Sequence, residues 1–138
     1  MSAVDRLVAY FESLVPAGVS ELPSYYAPDC YFKDPFNEVR SVREIEAIFA
    51  RMFEQLEAPR FRVHGKVVQG DEAFLVWDLE FRFRGSAKPQ RIHGVSHLRW
   101  RADGRVSYHR DYWDAAEELY GKLPVLGGLM RWLKRRVG

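Results

Sequence analysis

The sequence predicts an α+β fold in which a cone-shaped, curved antiparallel β-sheet wraps around N-terminal helices, with a further helix at the C-terminus. Apolar residues recur at helical spacing in two segments before Phe61, and beyond it they alternate with polar residues as in half-buried strands. The length of 138 residues fits one domain. We therefore predict a single domain over residues 1–138, in which residues 115–138 form a helical lid.

Three helices are predicted before the sheet. The first carries an apolar stripe from Val4 to Val15 and is capped by Ser2. A short helix is predicted from Ser20 to about Tyr26. The strongest helix begins with "SVRE", residues 41–44, a capping box that precedes an apolar stripe ending near Leu56.

The strands follow from alternating segments separated by turn signals. "CYFKDPF" predicts a short strand that ends at its proline. Four longer strands in antiparallel order are predicted from "FRVHGKVVQ", "EAFLVWDLEFRFR", "QRIHGVSHLRWR" and "RVSYHRDYW". "DAAE", after Trp113, is a second capping box and starts the C-terminal helix, whose outer face is basic.

A curved sheet folded over helices leaves an apolar interior with one open end, a natural pocket for an apolar small molecule. The residues expected to line it come from the long helix and from the inward faces of the strands. They are Phe36, Met52, Phe53, Trp77, Leu79, Phe81, Ser96, Leu98 and Trp113.

Composition excludes several other classes of function. The net charge is +2, and the basic residues cluster in "RWLKRR", residues 131–136, rather than in a stripe that would follow nucleic acid. No apolar run approaches the length of a membrane span, and the paired Gly127 and Gly128 disfavour a membrane-surface helix. No HExxH, CxxC or Gly-rich phosphate motif occurs, so we expect no metal and no cofactor. The single Cys30 and the absence of a secretory leader favour a cytoplasmic location.

Two positions suggest acid–base chemistry. Asp34 follows Cys30 and Phe32 on the apolar side of an extended segment, and a carboxylate in an apolar pocket suits a general base. The alternative is that Asp34 accepts backbone hydrogen bonds in a turn. His109 and Asp111 share one face of the last strand, which suits either proton shuttling or a polar pair that lines a cavity without chemistry.

The element order, with "YAPDCYFKDPF", "GVSHLRW" and "HRDYWD", resembles the nuclear transport factor 2-like superfamily over nearly the whole chain, in particular its SnoaL-like and ketosteroid isomerase-like proteins. The resemblance implies a homodimer formed through the outer sheet face. It also implies a cofactor-independent isomerase, dehydratase or cyclase acting on a hydrophobic carbonyl compound. A non-catalytic dimeric ligand-binding or protein-interaction module on the same fold is the alternative.

The same resemblance assigns roles to particular residues. Asp34 would be the general base, and Tyr10, 24 residues upstream, would donate a hydrogen bond to the developing oxyanion. Ser96 stands where ketosteroid isomerases carry a protonated Asp. His109 and Asp111 correspond to the His and Asp of SnoaL-like cyclases. "HRDYWD" also resembles limonene epoxide hydrolases, but the arginine of that family is missing, which disfavours epoxide hydrolysis.

Overall fold

The computed structural model describes residues 1–118, 132, 135 and 136, and has the α+β architecture predicted from the sequence. A curved, unclosed six-stranded sheet wraps around the N-terminal helices. The elements in chain order are α1 (Ala3–Glu12), a 3-10 helix (Pro16–Ser24), β1 (Tyr26–Lys33), β2 (Glu38–Val39), α2 (Val42–Gln55), β3 (Leu56–Gln69), β4 (Glu72–Phe83), β5 (Pro89–Trp100), β6 (Val106–Tyr112) and α3 (Ala115–Glu118). The remainder of the helical lid predicted over 115–138 lies outside the described residues, except for 132, 135 and 136.

Side chains cap the helices where the sequence predicts. The Ser2 hydroxyl accepts from the Asp5 N–H at the start of α1. At the start of α2, Ser41 accepts from the Glu44 N–H while its hydroxyl donates to the Glu44 carboxylate. These contacts satisfy N–H groups that have no partner inside the helix, which fixes where each helix begins.

The sheet places the last strand near its middle. The strand order is β2-β1-β6-β5-β4-β3, and β3 to β6 pair antiparallel with their neighbours in sequence, as expected. β1 pairs with β6 in parallel, which the sequence did not predict, and Phe32 lies opposite His109. The polar residues of β6 therefore lie between an apolar strand on one side and β5 on the other.

Two boundaries differ from the predictions. The short helix is a 3-10 helix that ends at Ser24, so Tyr26 is the first residue of β1 rather than the end of a helix. β3 begins at Leu56, directly after α2, and not at Phe61. Ala58 adopts a positive φ of 51°, and the pairing with β4 shifts register between Glu57 and Arg60, so an irregular segment joins helix and strand.

One apolar core lies between the helices and the sheet. Trp77, Leu79 and Phe81 point into it, as their alternation with charged residues predicts. Leu98 and Ile45 are fully buried. Among the described residues, none of the helices combines the length and hydropathy needed to cross a bilayer.

Candidate functional site

The interior of the curved sheet contains a cavity of about 120 Å³. An engineered cavity of about 150 Å³ in another protein holds benzene, so this one has room for a single small ring or branched head group. Its walls are mostly aromatic and aliphatic, and two carboxylates interrupt them. The lining residues are Phe32, Asp34, Ile48, Phe49, Met52, Phe61, Trp77, Leu79, Ile92, Asp111 and Trp113.

Two further spaces share walls with this cavity. A void of about 20 Å³ has Phe49, Phe61, Trp77 and Asp111 in common with it and reaches His109. A wider groove of about 530 Å³ runs past Asp34, Asp111 and Trp113. Asp111 borders all three spaces, so a ligand seated in the cavity would meet this carboxylate.

A chain of hydrogen bonds, which we call the polar chain, joins Tyr26, His109, Asp111, Ser96 and Trp77. The Tyr26 hydroxyl lies 2.5 Å from Nδ1 of His109, and Nε2 of His109 lies 2.6 Å from Oδ1 of Asp111. The Ser96 hydroxyl donates to the same Oδ1 over 2.5 Å and accepts from Nε1 of Trp77 over 2.9 Å. Buried polar groups connected in this way hold one another in fixed orientations.

The two oxygens of Asp111 differ in their contacts. Oδ1 takes part in hydrogen bonds with both His109 and Ser96. Within residues 1–118, no hydrogen bond to Oδ2 occurs. The side chain is 16% exposed and borders the cavity. One carboxylate oxygen is thus held by two described residues, and the other has no hydrogen-bond partner among them.

Strand register explains how this chain forms. Asp111 lies directly opposite Ser96, and His109 lies opposite Leu98, so alternation places His109 and Asp111 on the inward face of β6. Trp77 lies opposite Gly94. A Cβ at Gly94 would stand only 2.6 Å from the indole, so the glycine leaves the space in which the Trp77 ring reaches toward Ser96.

Asp34 makes the turn contacts that one interpretation of the sequence predicts, and it also lines the cavity. Its Oδ1 accepts from the backbone N–H groups of Phe36 and Asn37 over 2.8 and 2.7 Å, so it closes the turn after β1. It also lines the cavity together with Asp111. The turn contacts are present, and the role of Asp34 as a base stays a prediction.

The structure does not bring Tyr10 to the cavity. Its hydroxyl donates to the Gly18 carbonyl over 2.8 Å, its ring stacks on Tyr25, and burial raises its pKa above the ordinary value. Ser96 borders the smaller void, but its proton is donated to Asp111. Neither of the two expected oxyanion donors therefore offers a free O–H group to a ligand in the cavity.

The other predicted lining residues divide into two groups. Met52, Trp77, Leu79 and Trp113 line the cavity. The other four do not line it. Phe81 and Leu98 lie in the core, Phe53 is partly buried beside the core, and Phe36 lies in the turn after β1. Phe36 is 51% exposed and its ring packs edge-on against Trp113.

The site residues expected from the sequence did not include Tyr26, Phe49 or Phe61, whereas Phe32 was recognised on the apolar side of the segment before Asp34. Phe49 belongs to the apolar stripe of α2 and Phe61 to the alternation of β3, so both were recognisable as inward residues. Tyr26 carried no such signal, because its contact with His109 depends on the parallel pairing of two strands far apart in sequence.

A second polar cluster lies on the opposite face of the sheet. Asp78 is 8% exposed, and its two oxygens lie 2.7 Å from His64 and His93. Burial by itself raises the pKa of Asp78, but the hydrogen bonds with His93 and His64 outweigh it and hold the pKa below its ordinary value. Within the described part of the chain, no group of three His, Cys, Asp or Glu residues is placed to hold a metal ion.

Comparison with known proteins identifies similar folds. A family model described as the SnoaL-like domain matches residues 7–109. No curated protein matches the sequence. A hypothetical protein with a ketosteroid isomerase-like fold from Catenulispora acidiphila DSM 44928, in complex with trimethylamine, is 18% identical with a TM-score of 0.71, over 85% of this chain and 88% of that one.

Two other solved structures carry names that suggest activities. A putative SnoaL-like polyketide cyclase from Jannaschia sp. CCS1 is 19% identical, with a TM-score of 0.69 over 83% of this chain and 87% of that one. An LEH-like epoxide hydrolase from M. tuberculosis is 16% identical, with a TM-score of 0.68 over 96% of this chain and 93% of that one. At such identities the similarity establishes a common fold alone.

Proposed function

The chain belongs to the SnoaL-like domain family, and from that premise we propose that it binds an apolar carbonyl compound in the cavity and moves a proton on it without a cofactor. Asp111 is the proposed base. The observation that carries the proposal is the asymmetry of this carboxylate, which lines an apolar cavity: Oδ1 is held by two partners, and Oδ2 accepts no hydrogen bond from the described residues. A positioned carboxylate of this kind contributes roughly 10²- to 10⁴-fold as a general base.

The proposed step is the removal of a proton from the carbon next to the carbonyl. Oδ2 of Asp111 takes the proton, the C–H electron pair forms a carbon–carbon double bond, and the carbonyl oxygen becomes negatively charged. Return of the proton to the same carbon gives exchange, and where a further carbon–carbon double bond is conjugated with the enolate, return to the far carbon of that bond completes an isomerisation. Asp34, which lines the same cavity, is the second group able to take or return a proton.

The cavity walls restrict the substrate. Neither Tyr10 nor Ser96 offers a free donor to an oxyanion, and the loss of one such donor costs enzymes about 10²- to 10³-fold in rate. We therefore favour substrates whose C–H bond is already acidified, such as one between two carbonyl groups. The 120 Å³ cavity admits one ring of such a compound, and its substituent would lie in the adjoining groove.

The experiment is deuterium exchange at the acidic carbon of a small cyclic β-keto ester, followed by NMR in D₂O. We expect the wild-type protein to accelerate exchange and Asp111→Asn to lower that rate at least about 10²-fold. Asp29→Asn is the matched control, because the Asp29 side chain is 71% exposed and contacts Arg101 rather than the cavity. Equal exchange by wild type and Asp111→Asn, with both folded by circular dichroism, would refute the proposal.

A second candidate is non-catalytic binding of a small organic cation. Two carboxylates and several aromatic rings line the cavity, and none of its described lining residues is Lys or Arg. Aromatic walls with a carboxylate attract ammonium groups, and the Catenulispora relative is in complex with trimethylamine. Tryptophan fluorescence should then respond to benzyltrimethylammonium and not to benzylsulfonate, because Trp77 and Trp113 both line the cavity. A response to both, or to neither, would dismiss this candidate.

We also propose that the protein forms a homodimer through the outer sheet face. Val67 and Phe74 are opposite one another in β3 and β4 and are 65% and 40% exposed. The Phe74 ring stacks on His97, so a row of apolar and aromatic groups continues across the sheet. Sedimentation equilibrium should give a dimer for wild type and a monomer for Phe74→Asp. A monomeric wild-type protein at micromolar concentration would contradict this arrangement.

A further inference from the structure

We propose that Tyr26 is a positioning residue for Asp111: its buried hydroxyl donates to Nδ1 of His109 and so places the proton of the neutral imidazole on Nε2, directed at the carboxylate. The inference rests on the proposed function in so far as Asp111 is the base. It adds the group that sets the tautomer of His109 within the polar chain, which begins at the first residue of β1.

The Tyr26 and His109 side chains are enclosed by the protein. Tyr26 is 0% exposed and His109 is 2% exposed. The Phe32 ring lies 4.8 Å from the imidazole, and the Phe11 ring meets it edge-on at 6.1 Å. Because these rings hold the plane of the imidazole, its two nitrogens have fixed partners, at 2.5 Å in Tyr26 and 2.6 Å in Asp111.

The hydroxyl of Tyr26 determines which nitrogen of His109 carries a proton. Burial raises the pKa of Tyr26 well above its ordinary value, so the hydroxyl keeps its proton. Among residues 1–118, Nδ1 of His109 is the hydrogen-bond partner of that hydroxyl. If Nδ1 carried a proton, the Tyr26 O–H would be buried without an acceptor, which is costly. The favoured arrangement is therefore Tyr26 O–H donating to Nδ1, with the proton of the neutral ring on Nε2.

This tautomer has a consequence for the proposed base. Nε2–H and the Ser96 hydroxyl both donate to Oδ1 of Asp111, which holds the carboxylate in one orientation. Apart from Tyr26 and Asp111, the groups packed against the imidazole, Phe11 and Phe32, are uncharged. His109 cannot take a second proton without removing the acceptor of Tyr26. A proton captured by Oδ2 therefore leaves Asp111 to the ligand or to water rather than through His109.

The direct test is the ¹⁵N spectrum of the histidine rings, which separates the two neutral tautomers and the charged form. The chain has four histidines, and the signal of His109 is assigned by elimination with single Gln variants of His64, His93 and His97. We expect the proton of the His109 ring to lie on Nε2 in a wild-type spectrum recorded at about pH 8, above the range in which an ordinary histidine titrates. A spectrum with that proton on Nδ1, or with protons on both nitrogens, would overturn the proposal.

Tyr26→Phe removes the hydroxyl and keeps the ring. We expect the His109 ring in this variant to populate both neutral tautomers at the same pH. The deuterium-exchange rate should fall about tenfold, with a shifted pH profile, which is the lower end of what partners of a ligating histidine contribute at metal sites. Tyr10→Phe is the matched control, because it also removes a buried hydroxyl, one that donates to Gly18, and it should leave the His109 spectrum unchanged. An unaltered His109 tautomer in Tyr26→Phe would refute the positioning role.

The two proposals fail separately. The tautomer of His109 is read in the wild-type protein and requires no substrate that reacts. If the spectrum is as expected and Asp111→Asn still exchanges deuterium, the proposed function is wrong and the Tyr26–His109 arrangement stands. If Asp111→Asn abolishes exchange and His109 carries its proton on Nδ1, the positioning role is wrong and the base assignment stands.

Discussion

Gly94→Ala tests whether the Trp77 ring needs the bare backbone opposite it. A Cβ at this position would stand 2.6 and 2.7 Å from two carbons of the indole, and carbon atoms in contact prefer about 3.5–4.0 Å. The backbone of Gly94 has no positive φ, so the expected effect is purely steric. The ring must therefore move by about 1 Å.

That displacement has two energetic consequences. Overpacking a core costs about 1–3 kcal/mol. The bond from Trp77 to Ser96, 2.9 Å in the structure, would be stretched or lost, which costs about 1 kcal/mol more. We expect the free energy of unfolding to fall by about 2–4 kcal/mol and Tm to fall by roughly 10 °C.

The assay is thermal unfolding followed by circular dichroism, with tryptophan fluorescence as a local probe. Gly65→Ala is the matched control, because Gly65 is also a strand glycine without positive φ and a Cβ there meets nothing within 4 Å. The control should be as stable as wild type or slightly more stable. A Gly94→Ala protein with wild-type Tm and unchanged fluorescence would refute the reasoning.

Three further substitutions test other parts of the structure. Ser41→Ala removes the N-cap of α2 and should lower the free energy of unfolding by about 1 kcal/mol in urea titrations. Arg84→Ala should cost about 0.5–1 kcal/mol in the same measurement, because its guanidinium donates to the carbonyls of Phe53 and Glu54 at the end of α2. In Asp78→Asn, the free energy of unfolding should fall less steeply than in wild type as the pH is lowered into the acid range. The lowered pKa of Asp78 means that its contribution is present above the unfolded value of about 3.9 and is lost as pH falls through the folded pKa. If the free energy of unfolding of this variant falls as steeply in acid as that of wild type, ionised Asp78 does not contribute to stability in this way.

The parts of the fold that were predictable depend on neighbours in the sequence. The capping box at Ser41 and the alternation around Trp77 are local patterns, and both hold in the structure. The join at Ala58 was not predictable, because a residue with a Cβ rarely adopts positive φ and nothing nearby signals it. The parallel pairing of β1 with β6 was missed for a related reason, since strand register over such a distance is set by the whole fold.

The candidate site, like the fold, was predictable only where residues near one another in sequence decide the arrangement. His109 and Asp111 share the inward face of one strand, and a period of two suffices to show this. The partners of these residues lie on other elements, so sequence could not show that Ser96 donates to Asp111 and Tyr26 contacts His109. For Tyr10, the resemblance to ketosteroid isomerases implied an oxyanion donor, but the 3-10 helix places the Gly18 carbonyl where it accepts the hydrogen bond from the Tyr10 hydroxyl.

The central claim is that Asp111 acts on a ligand held in the aromatic cavity, and binding must be separated from chemistry to test it. The most direct measurement is the rate of deuterium exchange into a β-keto ester at a concentration that saturates the protein. Saturation is followed by the fluorescence of Trp77 and Trp113, which line the cavity. We predict that wild type and Asp111→Asn both bind the ester and that only wild type rapidly exchanges its acidic proton for deuterium. Equal exchange rates at saturation, or no binding by either protein, would contradict it.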